Sequence, residues 1–134
     1  MAKLYKLPVV YFCENNKYSM GTSIERHSAG GNDLHAKFTF VPGIKLNGFD
    51  VFEVREAMRF AREFCLKNGP IFLNVNTYRY HGHSMSDPGV TYRDKTEVGE
   101  IRKSVDPITL LKKVILDNNV MDQDGLSEID SYTK

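Results

Sequence analysis

The fold is decided by residues 50–75, which read DVFEVREAMRFAREFCLKNGPIFLNV. A helix is predicted to begin here, because Asp50 is a favoured N-cap and Glu53, three residues later, nearly completes a capping box. Its apolar residues recur every three or four positions on one face, namely Val51, Val54, Met58, Ala61 and Cys65. The Gly-Pro pair at 69–70 ends the helix, and the apolar run over residues 71–75 predicts a short buried strand.

A second apolar run, residues 7–13 (LPVVYFC), predicts another buried strand near the start of the chain. A strand, a helix and a strand in this order imply parallel strands with helices packed on the sheet, so we expect an α/β fold. A brief strand is also predicted over residues 44–46. Only two of these runs are convincing strands, and a self-sufficient doubly wound sheet needs more. We therefore expect residues 1–134 to be the C-terminal part of a single larger domain.

Two more helices are predicted downstream. Asp106 and Pro107 are suited to the N-cap and the first position of a helix. Its apolar residues are expected to face inward, namely Ile108, Leu111, Val114 and Ile115. Another amphipathic segment begins at Asp122.

Composition excludes some classes of partner. A hydrophobic fraction of 41% and a charged fraction of 26% are ordinary for a globular domain. The net charge of +1 and the scattered lysines and arginines give no reason to expect nucleic acid. No apolar run approaches the roughly 18 residues of a membrane span, so no membrane partner is expected. Cys13 and Cys65 lie in apolar segments and are predicted to be reduced core residues.

The segment ENNKY, residues 14–18, follows the first predicted strand and is one candidate for chemistry. Asparagine side-chain carbonyls and main-chain carbonyls are hard oxygen ligands of the kind that suit magnesium. An Asn-rich turn that merely closes a strand–helix connection is the alternative. Spacing alone leaves both interpretations open.

The second candidate is residues 78–89, YRYHGHSMSDPG, which directly follow the second predicted strand. Arginine, histidine and serine side chains can together hold an anion, and ligands of open α/β sheets bind beyond the carboxyl ends of strands. A solvated surface loop is the alternative. Zinc is not favoured, because His81 and His83 lack a second ligand pair. His27 and His35, in the long loop upstream, are expected to be exposed to solvent.

Two segments carry a resemblance to a known family. Residues 7–23, LPVVYFCENNKYSMGTS, and residues 78–93, YRYHGHSMSDPGVTYR, closely resemble the alpha subunits of pyruvate dehydrogenase, the thiamine-diphosphate-binding first component of that complex. The resemblance implies a thiamine-diphosphate-binding fold with a mainly parallel sheet flanked by helices. Residues 21–43 would be a long loop in it, and residues 78–105 a regulatory and cofactor loop. The implied reaction is the oxidative decarboxylation of pyruvate, with transfer of the acetyl unit to lipoyl groups.

The resemblance also implies roles for individual residues. Asn16 would bind Mg²⁺ through its side chain and Tyr18 through its main-chain carbonyl. Arg79 and His83 would contact the diphosphate of thiamine diphosphate, with His83 as the candidate catalytic residue. A Gly-Asp-Gly segment that supplies the acidic magnesium ligand in the family is expected upstream of residue 1. We therefore expect this chain alone not to form a competent site.

Regulation by phosphorylation is implied at three positions. Ser84 matches the principal site, Thr91 stands at the second site (usually serine), and Ser23 matches the third. A phosphoryl group adds about −1.5 to −2 charge, so on Ser84 it should repel anionic substrate or disorder the loop. The sequence also departs from the family, with Ser19 where glycine is more frequent and Asn47 where aspartate is common.

The partners implied by the resemblance are a beta subunit, in a tetramer of two alpha and two beta subunits, a lipoyl-bearing acetyltransferase core, and a regulatory kinase and phosphatase. The implied compartment is the mitochondrial matrix, although residues 1–6 show no targeting pattern. One alternative is a branched-chain 2-oxo acid dehydrogenase alpha subunit, whose loop differs around His81, Gly82 and Pro88. The other is a non-catalytic fragment that retains only subunit-contact surfaces.

Overall fold

The computed structural model describes residues 1–89 and 91–133. Along the chain they form β1 (Val10–Asn15), β2 (Tyr18–Ser19), β3 (Thr22–Ser23), α1 (Ile24–His27), a 3₁₀ turn (Leu34–Ala36), β4 (Gly43–Asn47), α2 (Val51–Asn68), β5 (Ile71–Asn76), α3 (Lys95–Val105), α4 (Pro107–Asp117) and α5 (Gln123–Tyr132). Strands β1, β5 and β4 form a parallel sheet in that order, and β2 pairs with β3 as a small antiparallel hairpin. The predicted α/β fold with a mainly parallel sheet flanked by helices is confirmed.

Helix α2 begins where the sequence predicts. The Asp50 carboxylate accepts hydrogen bonds from the backbone N–H groups of Phe52 (2.9 Å) and Glu53 (3.1 Å). The Glu53 side chain does not return to the N-cap as in a capping box. Its Oε1 accepts from the backbone N–H of Asn47 at 2.9 Å, so the first turn of α2 is tied to the end of β4. Gly69 closes the helix with a φ of 90°, a value that favours glycine.

The core lies between α2 and one face of the parallel sheet. Its buried side chains come from β4, α2 and β5, and they are Leu46, Ala61, Cys65, Ile71, Leu73 and Val75. Val54 packs against this cluster, whereas Val51 and Met58 are exposed. Three of the five apolar residues on the predicted face of α2 thus pack in the core, and two do not, because the sheet covers only part of the helix.

Helix α4 begins where the sequence predicts, but its predicted inward face is partly exposed. The Asp106 side chain accepts from the backbone N–H of Thr109 at 2.9 Å with Pro107 at the first position, as predicted. The inward face predicted for α4 is wrong for Ile108 and Val114, which are 66% and 40% exposed. Periodicity identifies an amphipathic helix, but it does not say whether this chain covers the apolar side.

Both long segments contain helix. Residues 21–43 include β3, α1 and the 3₁₀ turn. Residues 78–105, expected to be a loop throughout, are irregular only as far as Asp94, whose carboxylate accepts from the backbone N–H of Thr96 at 2.9 Å and caps α3. The partly buried apolar residues of α3 recur at three- and four-residue spacing and are Val98, Ile101 and Val105. The expected loop is therefore corrected to residues 78–94 followed by a helix.

Smaller expectations have mixed outcomes. Cys13 and Cys65 are both free thiols, and burial raises the pKa of the half-buried Cys13. His27 is exposed as expected, but His35 is half-buried because Gly43 packs directly against it. None of the helices in residues 1–89 and 91–133 combines the length and the apolar character that crossing a membrane requires.

Removing the cap of α2 should lower stability measurably. We expect Asp50→Ala to reduce the free energy of unfolding of the full-length protein by about 1 kcal/mol, because two backbone N–H groups lose their acceptor. Urea denaturation measures this change. Glu100→Ala, an exposed mid-helix substitution in α3, is the control and should change it by less than about 0.5 kcal/mol; an equal effect of both variants would contradict the role of the cap.

Candidate functional site

The register of the sheet brings the two candidate segments together. β1 and β5 are neighbouring parallel strands, and their last paired residues are Asn15 and Asn76. One residue further on, the backbone N–H of Thr77 donates to the carbonyl oxygen of Asn15 at 2.9 Å. Residues 14–18 and residues 78–89 therefore leave the sheet at the same edge. This is the carboxyl edge, where ligands of parallel sheets bind.

Two asparagine side chains build the turn after β1. The Asn15 Oδ1 accepts from the backbone N–H of Lys17 at 3.1 Å, and the Asn16 Oδ1 accepts from that of Tyr18 at 3.0 Å. Lys17 has a φ of 66°, and its carbonyl oxygen accepts from the backbone N–H of Ile24 at 2.8 Å. An amide oxygen has two lone pairs, so Asn16 can close this turn and still bind a cation.

The β2–β3 hairpin is docked on the second segment. Tyr18 pairs with Ser23 in the hairpin, and the turn between them contains Met20 in a left-handed conformation with a φ of 53°. Arg79 donates from Nη2 to the carbonyl oxygen of Met20 at 2.6 Å. A side chain at Gly21 would lie 3.0 Å from the ring of Tyr92. The two segments are thus in direct contact.

Asp87 is the centre of the loop formed by residues 78–94. Its carboxylate accepts from the backbone N–H groups of His83 (2.7 Å) and Gly89 (2.8 Å) and from the Tyr92 hydroxyl (2.6 Å). These bonds, that from His83 first and that from Tyr92 second, lower the pKa of Asp87 from 3.8 to about 2. At Gly82, which lies opposite, a Cβ atom would collide with the carbonyl oxygen of Asp87.

Arg93, which the sequence interpretation did not single out, joins these parts. It is only 6% exposed, and its guanidinium carbon lies 5.5 Å from the ring centroids of three tyrosines, Tyr18, Tyr78 and Tyr92. It also donates to the carbonyl oxygens of Arg79 and His81. A buried charge is costly unless it is compensated, and here aromatic faces and two carbonyl oxygens stabilise it, although its Nε has no partner among the described residues. The signal in the sequence was the tyrosine-rich flanks of the loop.

Helix α3 supports the loop from the other side. The Tyr78 hydroxyl donates to Glu97 Oε1 at 3.1 Å, and Arg102 lies 5.6 Å from the ring centroid of Tyr80. Burial first, and Glu97 second, raise the pKa of Tyr78. Burial and Glu97 also raise the pKa of Tyr18. The sequence does not predict these contacts, because the resemblance implies a loop over residues 95–105.

The predicted site residues differ in their surroundings. Tyr18 and Arg79 belong to the cluster around Arg93, with Arg79 also donating to the Tyr92 hydroxyl at 2.9 Å. The side chain of His83 is exposed, and only its backbone N–H is bonded within the loop. Of the phosphorylation candidates, Ser84 and Thr91 are exposed, whereas Ser23 is half-buried at the start of α1.

The donor set fits part of a magnesium diphosphate site. The Asn16 amide oxygen and the Tyr18 main-chain oxygen are ligands that magnesium accepts, and Arg79 and His83 supply donors of the type that contact phosphate oxygens. Within residues 1–89 and 91–133, no group of three or more His, Cys, Asp or Glu side chains is arranged to hold a metal ion. The described residues therefore provide neutral oxygen ligands and cationic donors, without a carboxylate cluster.

Comparisons with known proteins identify the family. A family model described as "Dehydrogenase E1 component" matches residues 1–134. The chain is 50% identical over 135 residues to the mitochondrial pyruvate dehydrogenase E1 component subunit alpha of Dictyostelium discoideum. This alignment covers 100% of this chain and 36% of the relative. It is also 50% identical to the human mitochondrial somatic form over 131 residues, covering 97% of this chain and 33% of the relative. The chain thus spans about a third of the length of the curated relatives it matches.

Neutralising Asp87 should release the loop. In Asp87→Asn we expect amide hydrogen exchange over residues 78–94 of the full-length protein to become about tenfold faster, because three donors lose a charged acceptor. Since the pKa of Asp87 is lowered in the folded state, the stability that its carboxylate contributes is present above pH 3.8 and is lost as the pH falls toward about 2.

Exchange measured by mass spectrometry at pH 7 tests the substitution, with Asp117→Asn on the exposed end of α4 as the control. Unchanged protection of the loop in Asp87→Asn would contradict the central role of this carboxylate.

Proposed function

Because the chain belongs to the dehydrogenase E1 component family, we propose that it forms part of an alpha subunit of a pyruvate dehydrogenase. The reaction is the oxidative decarboxylation of pyruvate, with transfer of the acetyl unit to lipoyl groups. The observation that carries this proposal is the Asn15–Asn76 register, which sets the Asn16–Tyr18 turn beside the loop of Arg79 and His83. The names of the relatives, at 50% identity, support the same substrate.

The proposed cofactors are thiamine diphosphate and Mg²⁺. Asn16 and Tyr18 would bind the metal through the side-chain and main-chain oxygens, and Arg79 and His83 would contact the diphosphate, with His83 the candidate catalytic residue. Thiamine diphosphate supplies the carbanion chemistry by which pyruvate loses carbon dioxide. The chain's own residues bind and orient the cofactor. Two protein oxygens leave most of an octahedral magnesium shell to other ligands, so the proposal is for a shared site.

The proposed partners follow from the family. They are a beta subunit in a tetramer of two alpha and two beta subunits, a lipoyl-bearing acetyltransferase core, and a regulatory kinase and phosphatase. The proposed compartment is the mitochondrial matrix, which the word "mitochondrial" in the names of the relatives supports.

Phosphorylation is proposed as the regulation, at Ser84 and Thr91 in the loop and at Ser23 in β3. The exposed Ser84 hydroxyl lies 3.0 Å from that of Ser86, and the Ser84 carbonyl oxygen accepts from the backbone N–H of Asp87 at 3.0 Å. A phosphoryl group on Ser84 would therefore add a second anion to the turn that the Asp87 carboxylate organises. Repulsion between them would loosen the turn that carries His83.

Removing the proposed metal ligand tests the function. In the full-length protein with its beta subunit, we expect Asn16→Ala to weaken the Mg²⁺-dependent binding of thiamine diphosphate by on the order of tenfold or more. Isothermal titration calorimetry measures the affinity, and Asn68→Ala at the exposed end of α2 is the matched control. Wild-type affinity in Asn16→Ala would contradict the proposed role. A preference of the wild-type assembly for a branched 2-oxo acid over pyruvate would favour the branched-chain alternative.

A charge at Ser84 tests the regulation. We expect Ser84→Glu to lower the turnover of pyruvate by the full assembly by on the order of tenfold or more, and Ser84→Ala to leave the loop's backbone bonds intact. Ser127→Glu, on the exposed side of α5, controls for added charge and should keep wild-type turnover. Full activity of Ser84→Glu would rule out charge repulsion as the mechanism.

A further inference from the structure

The face of the sheet opposite α2 carries an unusual row of asparagines. The register places Cys13, Asn74 and Lys45 side by side on this face, followed by Asn15, Asn76 and Asn47. Asn74 is 0% exposed in the central strand, and Asn15 is 4% exposed. Asparagine is disfavoured in strands, and a buried amide is costly unless it is hydrogen-bonded. The Oδ1 atom of Asn74 has no partner among the described residues, so this side chain is not optimised for stability.

Asn74 is hydrogen-bonded to the segment between α1 and β4, which crosses this face and is called the connection below. Its Nδ2 donates to the main-chain carbonyl oxygen of Asn32 at 2.7 Å, although the two residues are 42 positions apart. The neighbouring Asp33 also contacts the sheet, through an ion pair with Lys45 at 2.9 Å. This ion pair is between largely exposed side chains and contributes little. The buried bond from Asn74 is therefore the stronger fastening of the connection.

Asn32 in turn contacts Asn15, whose side chain closes the turn after β1. Its side-chain Oδ1 lies 3.4 Å from Asn15 Nδ2, and the Oδ1 of Asn15 accepts from the backbone N–H of Lys17 at 3.1 Å. Asn15 Nδ2 also lies 3.5 Å from Asn76 Oδ1. Because an amide group is planar and rigid, the acceptors that orient the NH₂ end of Asn15, Asn32 Oδ1 and Asn76 Oδ1, also aim its oxygen at the backbone N–H of Lys17.

We propose that Asn32 and Asn74 are positioning residues for the proposed metal-binding turn. The bonds run from Asn74 to Asn32, from Asn32 to Asn15, and from Asn15 to the backbone that presents Asn16 and Tyr18. Partners behind a metal ligand of this kind typically change metal affinity about 10- to 100-fold when removed. The 3.4 Å contact is long for a hydrogen bond, which places the expected effect at the lower end of that range. This inference rests on the proposed function for its consequence, but the coupling itself is a property of the protein alone.

Asn32→Ala removes the bond from Asn32 to Asn15 and keeps the bond from Asn74 to Asn32. The main-chain carbonyl that Asn74 holds remains in this variant, so the connection stays fastened and only the link to Asn15 is lost. We expect the amide hydrogen exchange of residues 15–18 in the full-length assembly without cofactor to become about two- to tenfold faster. We also expect the Mg²⁺-dependent affinity for thiamine diphosphate to fall by about tenfold. Asn74→Leu, which keeps the number of side-chain heavy atoms and the branch at Cγ but removes the donor, should change both quantities in the same direction.

Asp33→Asn is the matched control, because it alters the adjacent residue of the same connection and removes only the exposed ion pair. It should keep wild-type exchange over residues 15–18 and wild-type affinity. If Asn74→Leu does not fold, Asn32→Ala decides alone. Unchanged exchange in Asn32→Ala, or equal acceleration in Asp33→Asn, would overturn the inference. Failure of the wild-type assembly to bind magnesium and thiamine diphosphate would instead overturn the proposed function, while the exchange rates would still test the coupling.

Discussion

Parallel pairing between β1 and β5 is the interaction on which the rest of the site depends. The two strands are separated by more than 50 residues of chain, yet their paired ends, Asn15 and Asn76, lie side by side. A shift of one residue would turn every side chain of a strand to the other face. The apolar residues of β5 that pack against α2, Ile71, Leu73 and Val75, hold the register and thereby place Asn16 beside the loop of Arg79. The hydrophobic core thus decides which polar groups meet at the edge.

Beyond the edge, polar contacts rather than an apolar core organise the loop. Arg93 brings a buried positive charge to three tyrosine rings and two carbonyl oxygens, and Asp87 brings a negative charge to three donors. Dipoles and aromatic faces stabilise the Arg93 charge, and hydrogen-bond donors together with the nearby Arg79 stabilise the Asp87 charge. A network of this kind is well ordered when all its members are present and is sensitive to an added charge. These properties suit the proposed regulation of this loop by phosphorylation.

Local features of the fold were predictable from the sequence, because they depend on neighbouring residues. The caps at Asp50 and Asp106 and the strands around residues 10–15 and 71–76 are set by short-range chemistry. Helix α3 is not evident from the sequence, because its apolar positions are few and it directly follows the loop motif. The exposed face of α4 could not be foreseen, because amphipathicity does not reveal whether a surface is covered.

The candidate site was predictable only in part, because its residues act across long separations. The polar residues after each of two predicted strands predict that residues 14–18 and 78–89 carry chemistry. The parallel sheet explains why these two segments meet. The tyrosine surroundings of Arg93 and the bond from Asn74 to Asn32 join residues far apart in sequence. No periodicity or spacing rule reports such contacts, since they depend on the path of the chain over the sheet.

The glycines of the loop have a consequence for how this protein can vary. Exposed loops usually tolerate substitution. Here a methyl group at Gly82 would collide with the backbone of Asp87. Gly89 has a φ of 70°, and a Cβ atom added to it would lie 3.3 Å from the side chain of Arg93. The tip of the loop around Ser84 is therefore exposed to water, yet the backbone at Gly82 and Gly89 leaves no room for a side chain. Natural variants of this segment should differ in the reach and charge of the outward side chains, while the path of the main chain stays the same.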